Sequence, residues 1–303
     1  MPLTRYKKFC YRVFGNLTEK TVSDKLKKDL ILANMDIRAS AYLAYAWMNT
    51  ILTIIITSLI LGILFLVVLP AINIHIINPH PKTLIEVLLF VLIFLVPFGM
   101  GFLVYFFHLS YPASRAKARG KKIDFTLPYA LNYIAAMSAA GTPPHEIFIS
   151  LSKQRIYGEV REEAARMAKD MKLLGIDVVT ALKKAIERTP SERFREFLQG
   201  AVVTISSGGI LKSYFMTKAD QYMRDNRQKQ KEYLETLSVM AESYVTAAVA
   251  GPLLILIILP LMMMIRGGRE QLMFLYLFVC LILPLIHLAF AMVIRMLSPE
   301  VWK

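Results

Sequence analysis

Four stretches of this chain are too long and too apolar for a water-soluble fold, and they constrain it more than any other feature. Residues 51–69 carry no charge, and Thr53, Thr57 and Ser58 are their only polar side chains. Residues 84–107 hold a single charge, Glu86, near one end. Residues 245–265 and 271–294 hold none. Crossing a hydrocarbon core as a helix takes about 20 predominantly apolar residues. Lipid offers no hydrogen-bond partners, so such a segment must satisfy its own backbone, which a helix does. The chain is 56% hydrophobic yet includes 36 Lys plus Arg, so its charge is segregated between the spans.

This pattern predicts an all-α membrane protein: four transmembrane helices in two hairpins flanking a cytoplasmic six-helix bundle. The expected division is a cytoplasmic amphipathic segment (1–42), a first span (43–70), an external loop (71–83) and a second span (84–107). A cytoplasmic helical domain (108–243), a third span (244–265), an external turn (266–270), a fourth span (271–295) and a cytoplasmic tail (296–303) follow. The mostly polar segment ahead of the first span does not resemble a cleavable signal peptide, so a retained anchor is expected.

Orientation follows from basic residues in the flanks. Arg5, Lys7, Lys8, Arg12, Lys20, Lys25, Lys27, Lys28 and Arg38 precede the first span, whereas the first external loop has only Lys82. Arg115, Lys117, Arg119, Lys121 and Lys122 follow the second span. A cell-membrane protein with a cytoplasmic N-terminus and middle domain is expected. Arg266 and Arg269, in the second external turn, run against this bias and are outnumbered.

Leu26, Leu30 and Ile31 share one side of an amphipathic helix, with Asn34-Met35-Asp36 as a turn beyond it. Pro70 ends the first span. Pro97, Gly99 and Gly101 predict a kink or a close helix approach in the second span. Pro252, Pro260 and Pro284 lie within the third and fourth spans.

The middle domain reads as five helices and the start of a sixth. The first opens at Pro128, carries Leu127, Leu131, Ile134 and Ser138 on one stripe, and stops at Gly141. Thr142-Pro143-Pro144 opens the second, with Thr142 as cap and Ile147, Phe148 and Leu151 facing inward. The third, from about Glu159, buries Val160, Ala164, Met167, Ala168 and Met171, and Gly175 ends it. Asp177 caps the fourth, which turns Val178, Leu182, Ala185 and Ile186 inward. Thr189-Pro190-Ser191-Glu192 reads as a capping box with proline at the first helical position. Phe194, Phe197, Leu198, Ala201, Val202 and Ile205 then follow helical spacing up to Gly208-Gly209. A sixth helix starts near Ile210 and runs toward the third span.

No catalytic pattern is present in the sequence: no nucleophile elbow, no His-Glu-x-x-His, no phosphate-binding loop. No enzyme activity, cofactor or metal is therefore expected. Domain carboxylates read as solvated partners of neighbouring cations, Glu162 with Arg166 for example. Cys10 and Cys280 read as unpaired packing residues. His75 and His80 lack further ligands for a metal site. His287, in the fourth span, reads as a hydrogen-bonded packing residue because no carboxylate accompanies it.

The middle domain resembles the cytoplasmic domain of the type II secretion system F family. The resemblance rests on Met137-Ser138-Ala139-Ala140-Gly141-Thr142-Pro143-Pro144, on Leu174-Gly175-Ile176-Asp177-Val178 with Ala181-Leu182, and on Thr189-Pro190. It continues through Thr204-Ile205-Ser206-Ser207-Gly208-Gly209 and the charged helix beyond. Gly141, Pro143, Gly175, Asp177, Pro190, Ser207, Gly208 and Gly209 are its structural motif residues. Family members often carry two such domains; this chain shows one, a departure by which it resembles the tight-adherence or archaeal platform proteins more than the bacterial secretion form.

The resemblance implies an inner-membrane platform of type II secretion, a type IV or tight-adherence pilus, or an archaellum. Such a platform passes motion from a hexameric cytoplasmic secretion ATPase to pilin-like subunits, as a homo-oligomer or paired with a related platform subunit. Lys153, Arg155, Arg224, Arg227 and Lys229 are the cations least supplied with carboxylates at helical spacing, and are the expected ATPase contacts. The bland alternative is that the sixth helix merely lies near anionic lipid. The competing functional class is a membrane subunit of an ATPase-driven transporter, which would place polar groups along a pathway through its spans. The net charge of +14 is accounted for by basic flanks at a lipid surface, so no nucleic-acid partner is expected.

Overall fold

A computed structural model describes residues 5–64, 84–266 and 269–297. Pro70, His75, His80, Lys82, the Gly267-Gly268 turn and the tail beyond 297 lie outside the described residues. Every regular element among the described residues is helical. The order is α1 (Arg5–Thr21), α2 (Asp24–Leu32), α3 (Ala39–Ile63) and α4 (Leu84–Ala139). Then come α5 (Pro144–Lys153), a single 3-10 turn (Arg155–Tyr157), α6 (Gly158–Leu173), α7 (Val178–Arg188) and α8 (Glu192–Ser206). α9 (Leu211–Tyr244) leads through a π-helical segment (Val245–Ala250) into α10 (Gly251–Arg266). α11 (Arg269–Leu277), a second π-helical segment (Phe278–Ile282) and α12 (Leu283–Leu297) follow. Four helical stretches, Ala39–Ile63, Leu95–Ala139, Leu211–Ile265 and Leu272–Arg295, are long and apolar enough to cross a membrane. The protein is an all-α membrane protein. It divides into two compact units, Met1–Met216 and Thr217–Lys303.

The second span and the first helix of the soluble domain are one helix. α4 runs for 56 residues through Pro97, Pro112 and Pro128, where a break at Pro128 was expected. A proline inside a helix leaves the carbonyl four residues earlier without its N–H donor. For Pro112 that carbonyl belongs to His108, and the buried Tyr42 hydroxyl of α3 donates to it at 2.8 Å. The carbonyl exposed by the proline is thus satisfied by the neighbouring helix, as membrane helices with internal prolines require. His108 fastens the same place: Asn49 Nδ2 lies 3.1 Å from its Nε2, and its Nδ1 lies 3.0 Å from the Val104 carbonyl oxygen. A neutral ring protonated on Nδ1 satisfies both contacts. Above this point α3 and α4 approach at Gly101, where a Cβ would fall 2.5 Å from Ile54 Cγ1. Gly99 faces open space and takes no part in the approach.

At the base of these helices, α2 buries Leu26 and Leu30 against Tyr42 and Leu43 of α3. Ile31 points away and is exposed, because one residue further round the helix is a rotation of about 100°. Asn34 adopts φ +54 and closes α2, with Asn34 N–H bonded to the Ile31 carbonyl and Met35 N–H to that of Leu30.

The soluble core is built where the periodicity placed it. Leu127, Leu131 and Ile134 of α4 are fully buried with Ile147, Phe148 and Leu151 of α5 and Val160, Ala164 and Met167 of α6. Leu182 and Ala185 of α7 and Phe194, Phe197, Leu198 and Ala201 of α8 are enclosed as well. Met171, Val178, Ile186, Val202 and Ile205, toward helix ends, are only half-buried.

Among the described residues, three of the four glycines with positive φ stand just past helix ends: Gly141 (φ +82), Gly175 (φ +64) and Gly208 (φ +71). An L side chain is strained there, which is why glycine ends these helices. Gly209 N–H donates to the Thr204 carbonyl and Ser207 Oγ to the same oxygen, closing α8. Asp177 caps α7, accepting from Thr180 N–H at 3.0 Å.

Two other caps differ from expectation. Thr142 does not cap α5: its N–H bonds back to the Met137 carbonyl, and Pro143, extended because a second proline follows, stands at the cap position. Thr189 does not cap α8. It ends α7 and is itself held extended before Pro190. Ser191 is the cap, accepting from Phe194 N–H at 3.0 Å, so Pro190 precedes the helix rather than opening it.

In the second unit each π-helical segment lies just before a proline, Pro252 or Pro284. The missing proline N–H removes a regular helical bond, and the widened turn accommodates the loss. His287 Nδ1 lies 2.8 Å from the Leu283 carbonyl and its ring meets Tyr244 edge-on, the expected packing role. Both cysteines are free; Cys10 is buried, but Cys280 is exposed rather than packed.

Two outcomes follow from these contacts. Tyr42→Phe leaves the His108 carbonyl unpaired and should cost about 1–3 kcal/mol. Pro112→Ala restores an N–H there, so the double variant should recover most of the loss in thermal unfolding of the detergent-solubilised chain. An equal loss in both backgrounds would show that the hydroxyl does not serve this carbonyl. Asp177→Ala should lower the melting temperature by a few degrees at neutral pH. The Asp177 carboxyl is held below the ordinary range by its bonds to the Thr180 side chain and N–H. A depressed folded-state pKa gives stability that is present above the unfolded value and lost as pH falls through the folded one. The difference between the two proteins should therefore close below about pH 4.

Candidate functional site

The exposed cations singled out in the sequence fall in two places. Lys153 ends α5 and Arg155 opens the 3-10 turn in the first unit. Arg224, Arg227 and Lys229 lie on α9 within the second unit. All five are exposed. Among the described ion pairs none involves them, Asp220 with Arg224 included.

The motif residues do not gather into a pocket. Gly141, Pro143, Gly175, Asp177, Ser207, Gly208 and Gly209 form the helix ends described above. Pro190 instead marks a docking point. Its carbonyl oxygen would lie 3.0 Å from a Cβ at position 120, so Gly120 lets the α7–α8 connection lie directly on α4. Ser191 Oγ, besides capping α8, donates to the Asp124 carboxylate on the same helix.

One turn earlier on α4 is a feature that the sequence reading missed: a buried charge cluster centred on Arg119. Its side chain is 6% exposed. Its Nε donates to Glu159 at 2.9 Å, its Nη2 to Glu163, and its Nη1 to the Leu32 carbonyl at 3.1 Å. One guanidinium thereby ties α4 to α6 and to the C-terminal end of α2, where orphan carbonyls and the helix dipole favour a cation. Glu163 is fully buried, contrary to the reading of these carboxylates as solvated. Glu162 pairs with Arg161 at 2.5 Å, not with Arg166, which instead lies 3.9 Å from Glu163. Burial pushes the Arg166 guanidinium down, and the Glu163 charge opposes that shift. Asp170, largely buried, pairs with Arg188 at 2.7 Å and joins α6 to α7.

A cleft of about 190 Å³ opens beside Arg119, lined by Asn34, Arg115, Lys122 and Glu159 among others. Among the described residues no three His, Cys, Asp or Glu side chains come together as metal ligands. The arrangement is suited to holding helices in fixed relation. A bidentate-capable guanidinium engaging three partners sets both distance and angle.

Removing one member of a buried pair typically costs about 3–5 kcal/mol because the other charge is stranded. Arg119→Met should therefore lower stability strongly, and adding Glu163→Gln should recover part of the loss. Glu162→Ala, at a half-exposed pair, should change stability by less than about 1 kcal/mol. Thermal unfolding of the full chain in detergent distinguishes them; equal effects of Arg119→Met and Glu162→Ala would refute the buried cluster as a structural tie.

Residues 130–259, from the last turns of α4 into α10, match the family model described as type II secretion system protein F. A protein of Methanocaldococcus jannaschii with no assigned function is 33% identical over 159 residues, covering 52% of this chain and 27% of that protein. Flagella accessory protein J of the same organism is 31% identical over 100 residues, 31% of this chain and 18% of that protein. A third protein of that organism is 28% identical over 102 residues, 34% of this chain and 30% of its own length. The chain thus spans less than a third of the length of each of these curated relatives. No solved structure matches. Residues 130–259 therefore form a domain that matches the type II secretion system F family.

Proposed function

We propose that the protein is a membrane platform of a type IV filament or type II secretion machine, passing motion from a cytoplasmic secretion ATPase to pilin-like subunits. The observation that carries this reading is α4. A continuous helix of 56 residues is about 84 Å long at 1.5 Å per residue. Its first half is apolar and lipid-sized, while its second half supplies Leu127, Leu131 and Ile134 to the soluble core. A displacement of the soluble domain is then a displacement of the span. The domain family and the likeness to Flagella accessory protein J favour an archaellum-type or related assembly. The basic flanks favour a soluble domain on the cytoplasmic side, where such an ATPase works. The exposed cations of α9 suit a contact that forms and releases with each cycle, since exposed charge governs association rate and is salt-sensitive.

Charge reversal at Arg224, Arg227 and Lys229 should abolish retention of the cognate ATPase by the detergent-solubilised chain, where no anionic bilayer competes. Reversal at Lys153 and Arg155 tests the other patch separately. Undiminished retention in both variants would move the docking surface elsewhere. Normal filament or secretion assembly in cells lacking the chain would overturn the platform reading itself.

A further inference from the structure

Helix α1 has two apolar faces, and among the described residues only one of them is closed over. The inner face is closed on α3. Cys10 and Thr18 are fully buried, and the Tyr6 and Phe14 rings pack against Tyr45 and Trp47 at 5.9 and 6.2 Å between centroids. A second stripe, Tyr6, Phe9, Val13 and Leu17, repeats at spacings of three and four residues. These four side chains remain 43%, 56%, 51% and 59% exposed. Beside the stripe, Lys8 and Arg12 are exposed as well, and with Tyr11 and Asn16 they line an open hollow of about 380 Å³. Glu19 is the only acidic residue of the helix, against five Lys and Arg. An apolar stripe flanked by cations is the pattern of a helix lying in a membrane interface.

The placement of α1 supports the same occupant. Tyr6 belongs to the exposed stripe, and its hydroxyl donates to Asn49 Oδ1 of α3 at 2.9 Å. Two residues beyond Asn49, Ile51 and Leu52 begin the exposed apolar surface of the first span. The N-terminal end of α1 is therefore fastened at the level where α3 becomes lipid-facing, and its stripe continues that surface sideways. On α3 itself residues 40–44 and 46 are buried, so the outward apolar surface below Ile51 is supplied by α1.

We propose that α1 is an in-plane membrane anchor. Phe9, Val13 and Leu17 enter the acyl boundary of the leaflet on the N-terminal side, and Lys8 and Arg12 bind the phosphate groups of anionic lipids. Through its packing on α3, this anchor holds the base of the first hairpin at a fixed depth. The inference depends on the membrane-spanning character of α3 and not on the platform reading.

The test uses the full chain in vesicles of phosphatidylcholine with about one-third phosphatidylglycerol, a fraction high enough to give a negative surface potential. An environment-sensitive fluorophore is attached at Val13→Cys in a Cys280→Ala background, Cys10 being enclosed. A matched chain carries it at Glu19→Cys, outside the stripe. The Val13 probe should emit to the blue of the Glu19 probe and be quenched severalfold more by lipids spin-labelled on their acyl chains. Lys8→Glu with Arg12→Glu, both exposed, should weaken that quenching, and pure phosphatidylcholine should weaken it likewise. Water-like emission from Val13 in anionic vesicles, with no lipid quenching, would overturn the proposal. So would a dry Val13 probe insensitive to spin-labelled lipid whose signal depends on protein density in the vesicle, which would assign the stripe to a second copy. Phe9→Ser with Leu17→Ser provides an independent reading: it should reduce quenching at Val13 without lowering the melting temperature in detergent.

Discussion

The Tyr42 hydroxyl donating to the His108 carbonyl sits where the architecture would otherwise come apart. Pro112 removes a backbone donor just past the apolar part of α4, where a helix leaving lipid has every reason to bend. Because α3 supplies the missing donor, α4 continues from the membrane into the soluble domain as one element. The first hairpin and the domain thereby share a rigid member. Asn49 and His108 repeat the link with side chains alone, and Gly101 lets the two helices close above it.

Further along the same helix the soluble helices attach in register. Arg119 takes α6 and the end of α2; Gly120 and Asp124 take the α7–α8 connection. These contacts fall within six positions of α4, so one short stretch positions both sides of the domain. Hydrophobic burial of Leu127, Leu131 and Ile134 supplies the larger share of the driving force. The buried charges add little net stability and much geometric definition, since a stranded member would be costly. α1 extends this logic to the bilayer, because a helix packed on the base of α3 and carrying an outward apolar stripe orients the whole hairpin.

The domain family could be read from short turn signals, and most of the core from helical periodicity. Gly141, Gly175 and Gly208 announced their turns because only a residue without Cβ enters the left-handed region cheaply. Asp177 announced its cap by position. The reading failed where one local signal competed with another. Thr189 and Ser191 both look like caps, and the extended conformation imposed on the residue before Pro190 decided for Ser191. It failed again at Pro128, where the local rule for proline predicts a boundary and the helix continues. It failed for Glu163, since a charged residue among Arg161, Glu162 and Arg166 reads as solvated until its partner is found 44 residues away.

The sequence by itself determined that this chain crosses a membrane as helices, because apolar runs of that length have no other way to satisfy their backbone in lipid. Apart from the start of the first, set at Pro128, it also placed the domain's helix ends to within a few residues, because caps, glycines and 3.6-residue periodicity are local. Only the tertiary structure decided that α4 is one helix rather than two, that Arg119 and Glu163 are interior, and that α1 turns an apolar stripe outward beside the first span. Each of these depends on a donor, a counter-charge or a neighbouring helix contributed from far along the chain, and no window of sequence contains both partners.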